Sequence, residues 1–226
     1  PIKSSAASDV YKRQVEIESR AWFNPNLITR WFIVPGLIAV LALIGSVLSG
    51  ALSIAREREE GTFDQLLVAP YTPREILLGK GISTVITSIM QTFFIVLVAM
   101  FWFRIPFQGS IWLLSGAILL FIITGAAIGL CISSFSQSLQ QAIVGTFLLV
   151  VPTVMLSGFA TPISSMPEFF QDLTLLNPMR YGLELIQRIF LEGAGFMDLW
   201  PLFGAITLVT IGTAAAAIFS FHRKIS

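Results

Sequence analysis

The sequence predicts an all-α protein that crosses a membrane several times. Only 12% of its 226 residues are charged and 55% are hydrophobic, where a soluble domain carries about 25% charged residues. Mean hydropathy is +0.81. Residues 31–55, 81–103 and 199–221 each hold 23 to 25 positions without an Asp, Glu, Lys or Arg, and about 20 apolar residues span a bilayer as a helix. A further 63 uncharged residues, Ile105 to Pro167, exceed one span and break at the polar run SQSLQQ, 136–141. They read as two helices, giving five spans and chain ends on opposite sides of the membrane.

The same composition excludes several classes. A net charge of +1 supplies no field for nucleic acid or another polyanion. The single cysteine, Cys131, sits in an apolar run, so no disulfide framework forms and a packed thiol is expected.

From the first residue, 1–14 (PIKSSAASDVYKRQ) are small and polar without an apolar h-region, and read as a leader foreign to the fold. Residues 15–30 are mixed and close on the Asn24-Pro25-Asn26 turn signal, as a water-exposed segment does. The first span, about 31–60, opens on Trp31 and Phe32 and continues through ArgGluArgGluGlu to a capping glycine, Gly61. Ala42, Ser46 and Gly50 recur every fourth residue along it, a spacing that lets another helix approach closely.

Two capping boxes follow, Thr62-Phe-Asp-Gln65 and Thr72-Pro73-Arg74-Glu75, with Pro70 between them. They predict a short surface helix at about 63–69 and then a new helix running into the second span, 78–103. Arg104-Ile-Pro106 makes a turn. The third span, 110–135, carries the GxxxG motif Gly125 to Gly129. The fourth, 142–162, holds Pro152 and dissolves into SGFATPISSMPEFF, as a helix that turns back would. Over 163–195, Asn177-Pro178 starts a helix with Arg180, Glu184, Arg188 and Glu192 on one stripe and Met179, Leu183, Ile186 and Phe190 on another. It reads as an amphipathic interfacial helix closed by Gly193 or Gly195. The last span is 199–222.

Charge asymmetry hardly orients the chain. The 56–80 loop and the C-terminus hold six Lys and Arg, the opposite side five, Arg20, Arg30, Arg104, Arg180 and Arg188. The sequence carries no motif for nucleotide binding or hydrolysis. Gly79-Lys80-Gly81 lacks the upstream glycine and following hydroxyl of a phosphate-binding loop. The one histidine, His222, lies at a membrane edge, out of reach of any intramembrane serine. No span carries an ionisable group at mid-membrane; the polar groups there are Ser88, Gln91, Thr92, Thr124 and Thr146. The path suits an amphipathic or lipid-like cargo, or none. No catalytic residue, metal site or bound cofactor is expected. A transport subunit powered by a partner, an inert membrane scaffold and an ion-coupled carrier all fit the residues alone.

Two blocks separate these. SIAREREEGTFDQLLVAPYTPREILLGK, 53–80, resembles the cytoplasmic loop of type-2 ATP-binding cassette exporter permeases, and LSGFATPISSMPEFFQDLTLLNPMRYGLELIQRIFLEG, 156–193, is similar to their outer re-entrant region. The resemblance covers about 15–226. It implies a permease transmembrane domain over 31–226 of the multidrug-efflux-like branch, with the visible spans standing as the second to sixth of six and 15–30 as the end of an outer domain. It further implies a multi-pass protein of a prokaryotic inner membrane with a cytoplasmic C-terminus. Two permease subunits and an ATPase pair that binds ATP and Mg are the implied assembly. The coupling region would be 57–70, with Glu57, Arg58, Glu59, Glu60, Gly61, Thr62, Asp64, Gln65, Leu66 and Pro70 docking on the ATPase. Ser157, Gly158, Pro162, Pro167, Asn177, Pro178, Arg180 and Glu184 would form the outer gate, although amphipathicity fits a gate and a passive anchor equally.

Overall fold

The structure, a computed structural model, describes residues 29–63 and 70–225. Residues 1–28, and the expected short helix beyond Phe63, lie outside them. Every described element is helical. The long helices are α1 (Thr29–Glu59), α2 (Pro73–Phe101), α3 (Ile111–Phe135) and α4 (Leu139–Met155). A short α5 (Glu168–Leu173) and α6 (Pro178–Gln187) follow, then a π-helical turn Arg188–Glu192 and α7 (Phe196–Ile225). Four helices, α1, α2, α3 and α7, are long and apolar enough to cross a membrane, while α4 is a shorter apolar helix. The protein is an all-α, multi-pass membrane protein.

Local chemistry sets the helix ends. Gly61 adopts φ 73°, a conformation glycine enters without a Cβ penalty. The Thr62 amide then donates to the Glu57 carbonyl and the Gly61 amide to that of Arg58, which satisfies the last carbonyls of α1. At the start of α2, Thr72 and Glu75 make the full reciprocal capping box. The expected fourth span begins earlier and ends sooner. Ser138 accepts from the Gln141 amide, so the polar run 136–141 is a three-residue turn plus a helix cap. The helix stops at Met155, three residues past Pro152, which cannot donate to Leu148. The last helix likewise starts at Phe196, where Asp198 accepts from the Gly195 amide.

α1 lies at the centre, packed against α2, α3, α4 and α6. Its contact with α3 is the tightest. A methyl on Gly50 would sit 2.8 Å from the Ala126 carbonyl oxygen and 3.1 Å from Gly129 Cα. A methyl on Gly125 would strike the Ser46 hydroxyl, and one on Gly129 the Val47 carbonyl. The structure thus brings Ser46, Gly50, Gly125 and Gly129 into one crossing, with Ala42 buried a turn away. Backbone approach of this kind replaces the hydrophobic drive that lipid removes. At the crossing, the buried Ser133 hydroxyl accepts from both the Ile54 and Ala55 amides, at 3.1 and 3.0 Å.

The amphipathic segment α6 differs from an interfacial helix lying on lipid. Met179, Leu185, Ile186, Ile189 and Phe190 are fully buried in the same core as α1 and α3. Gly182 lies flat against the Phe121 ring, and Gly36 of α1 against Phe159. The apolar stripe meets protein because α1, α3 and α7 all pack around it.

Candidate functional site

The end of α1 is where the chain gathers its charge. Consecutive residues on a helix point about 100° apart, so Glu57, Arg58 and Glu59 face three directions. Each meets a different helix. Glu57 forms an ion pair with Lys80 of α2. Arg58 donates from Nη1 to the Ser134 and Ser136 carbonyls, at 3.0 and 2.9 Å, at the C-terminal end of α3. Its guanidinium also lies 4.7 Å from the Phe63 ring centroid. The Glu59 carboxylate accepts from the Leu139 amide, at 2.6 Å, at the start of α4.

The signs follow from the helix dipoles. The C-terminus of α3 is partially negative and takes the arginine; the N-terminus of α4 is partially positive and takes the glutamate. Adjacent opposite charges on α1 therefore clip both sides of the three-residue α3–α4 turn. Charge-assisted hydrogen bonds contribute about 1.5–3 kcal/mol each when sheltered, and less at an exposed pair such as Glu59 and Leu139.

Of the residues that the family resemblance assigns to coupling, Glu57, Arg58 and Glu59 are thus engaged with other helices of the chain. Glu60, Gly61, Thr62 and Pro70 are exposed. Among the described residues no ion pair involves Arg56 or Glu60. Asp64, Gln65 and Leu66 lie outside the described residues. The targets of Arg58 and Glu59 carried no sequence signal beyond the Ser-rich break at 133–138, since they lie 76 to 80 positions away.

The second group of expected residues sits at the opposite end of the bundle. Ser157 is buried, donating to the Val154 carbonyl and accepting from the Phe159 amide in the turn that contains Gly158. Pro162 and Pro167 precede a 3-10 turn and α5. Asn177 has two jobs. Its Oδ1 caps α6 by accepting from the Met179 amide at 2.9 Å, and its Nδ2 donates to the Thr153 carbonyl of α4 at 2.7 Å. Pro178 occupies the first position of α6. Arg180 donates to the Thr174 hydroxyl, so the stripe of alternating charge is broken at its first member. Glu184 pairs with Arg188 at 3.4 Å, and Arg188 with Glu192 at 3.2 Å.

The π turn was not legible. It ends at Gly193, φ 64°. Its Phe190 carbonyl accepts from Gln108, and Gly109 lies against the Ile189 carbonyl, so the loop after α2 is seated on it. Wide turns of this type leave carbonyls free for such partners.

The comparisons with known proteins agree with this architecture. The family model described as ABC-2 type transporter matches residues 7–191. The probable multidrug ABC transporter permease YbhR of Escherichia coli K12 is 37% identical over 210 residues, 93% of this chain and 57% of the relative. The inner membrane transport permease YhhJ of the same organism is 35% identical over 215 residues, again 93% and 57%. The probable multidrug ABC transporter permease YbhS is 34% identical over 184 residues, 79% of this chain and 48% of the relative. The chain therefore spans about half the length of the curated relatives it matches, and it belongs to the ABC-2 type transporter family.

Proposed function

We propose that this chain is the membrane-spanning permease part of an ATP-driven exporter, moving an amphipathic or lipid-like substrate outward with ATP hydrolysed by a separate subunit. ATP and Mg would be held by that ATPase; the sequence here has no phosphate-binding loop. The implied assembly pairs two permease subunits with two ATPases in a prokaryotic inner membrane, with the end of α1 and the C-terminus facing the cytoplasm.

The observation that carries the reading is the three-way tie at the end of α1. A force applied to the exposed Arg56, Glu60 and Thr62 reaches α2 through Glu57, the α3 terminus through Arg58 and the α4 terminus through Glu59. A partner that docks on this end and moves it thereby moves four helices together. The outer residues 157–184 take the complementary role of closing the far end, since Asn177 ties α6 to the carbonyl left near the Pro152 break. Co-purification with an ABC ATPase of its own genome tests the reading. Glu60→Arg with Gly61→Pro should abolish the association, while the oppositely placed Glu168→Arg should leave it intact.

A further inference from the structure

Two arginines at one end of the bundle stand without a partner. Arg74 occupies the second position of α2 and Arg223 lies near the end of α7. Both are exposed, and among the described residues neither makes a hydrogen bond or an ion pair. They share that end because Ile76 and Leu77 belong to one buried cluster with Ala217 and Phe221.

One turn further along, α2, α3 and α7 leave a groove of about 330 Å³, within the size range of small-ligand sites, about 300–1,000 Å³. Its floor is made of small residues, Gly81 of α2, Ala126 and Ala127 of α3, and Ala214 and Ala217 of α7. A methyl on Gly81 would meet nothing closer than Leu130 Cδ1, at 3.5 Å. On the α2 wall, Leu78, Ile82 and Ile86 are 62%, 59% and 54% exposed, so the groove opens outward. No polar side chain lines it, and all three helices are long and apolar enough to cross a membrane. The groove therefore opens onto hydrocarbon.

Helix register decides which charges meet its end. Arg74 precedes Leu77 and Leu78 by three and four residues and so continues the face that carries Leu78, Ile82 and Ile86. Glu75 turns the other way: it lines a separate cleft with Ser53 of α1 and with Ile76, Gly79 and Lys80. Its carboxylate is already taken by the Thr72 amide and hydroxyl, at 2.7 and 2.9 Å. Arg56, Glu57, Glu60 and Lys80 line the α1–α2 cleft on that same far side. Positive charge from two helices thus stands at the end of the groove, and among the described residues no carboxylate lines it. A comparable groove of about 470 Å³ at the other end of α7, lined by Leu175, Tyr181, Leu208 and Gly212, has no charged member.

We infer that the α2–α3–α7 groove holds an acyl chain of an anionic phospholipid, with Arg74 and Arg223 on its phosphate. Guanidinium groups bind phosphate oxygens bidentately, and basic sites between membrane helices hold anionic head groups. Selectivity comes from the head, since a lipid tail meets surroundings in the groove as apolar as those of the bilayer. A zwitterionic lipid brings a cation to the two arginines along with its phosphate and loses the preference. A lipid seated there joins α7 to α2, whatever cargo the chain carries.

The test uses the purified chain in nanodiscs without nucleotide or ATPase, so its failure leaves the permease reading standing. In a Cys131→Ser background, Ile82→Cys is labelled with a bimane maleimide, whose fluorescence is quenched by bromine in contact with it. Brominated phosphatidylglycerol should quench roughly threefold more than brominated phosphatidylcholine at the same mole fraction, a modest demand on two arginines. Arg74→Gln with Arg223→Gln should make the two lipids equal, and a label at Leu208→Cys in the other groove should not distinguish them. Equal quenching at Ile82→Cys, a preference that survives loss of both arginines or recurs at Leu208→Cys, or a label that neither lipid reaches because another helix covers the groove, would each overturn the site. Leu78→Cys gives the same readout if Ile82→Cys fails to fold.

Discussion

The Glu59 carboxylate accepts from the Leu139 amide at 2.6 Å, so the last residue of α1 satisfies the first amide of a helix 80 positions downstream, beside its own cap Ser138. Its neighbour Arg58 binds the end of the preceding helix. This pair of contacts makes the α3–α4 turn a follower of α1.

Removing this carboxylate isolates its role. Glu59→Ala should cost about 1 kcal/mol, the usual size for a helix cap, and should speed hydrogen exchange at Leu139 several-fold while leaving α7 amides unchanged. Exchange measured by mass spectrometry on the detergent-solubilised protein checks this.

Arg58 binds both carbonyls through one nitrogen, Nη1, and lies over the Phe63 ring. A lysine ammonium carries three donors and can serve two carbonyls, so Arg58→Lys should hold the turn better than Arg58→Met does. Protease susceptibility between Phe135 and Leu139 is the readout, and a methionine variant indistinguishable from the native protein would contradict the contact.

The α1–α3 crossing leaves no room at its centre. Gly129→Ala places a methyl against the Val47 carbonyl and should destabilise by about 1–3 kcal/mol, as overpacking does. Gly116→Ala, on the same helix with no atom within 4 Å of the added methyl, should be neutral or stabilise slightly. Thermal unfolding of the two variants side by side tests the crossing.

Asn177 separates into its two functions. Asn177→Asp keeps the cap on Met179 but loses the donor to Thr153, setting a carboxylate against a carbonyl. Asn177→Ala loses both. Asp is expected to preserve α6 helicity yet free α4 from the outer segment, seen as faster exchange near Thr153.

Much of this architecture is legible in the sequence where the cause is local. Thr72-Pro73-Arg74-Glu75 announces the start of α2 through four consecutive residues, and Gly61 announces the end of α1 because a left-handed turn favours glycine. The glycines at 50, 125 and 129 mark close packing, since small residues at four-residue spacing serve little else in lipid. What escaped has distant causes. The amphipathic stripe of α6 is the same whether lipid or protein covers it, and only the tertiary fold puts Met179 and Ile186 in the core. Glu57, Arg58 and Glu59 look like a solvated cluster ready for a partner; their partners within the chain come from three other helices. α4 runs over Leu139–Met155 instead of the expected 142–162 because the polar run 136–141 supplies a helix cap as well as a turn.

Transport powered by an ATPase docked on the end of α1 is the activity proposed for this chain. Its most direct test is transport of an amphipathic dye in proteoliposomes that contain the permease and its ATPase, comparing native protein with the Glu60→Arg, Gly61→Pro variant. ATP-dependent uptake into inside-out vesicles is expected, and the variant should lose it together with ATPase association. Uptake driven by a proton or sodium gradient without ATP, or a variant that keeps both association and transport, would contradict it.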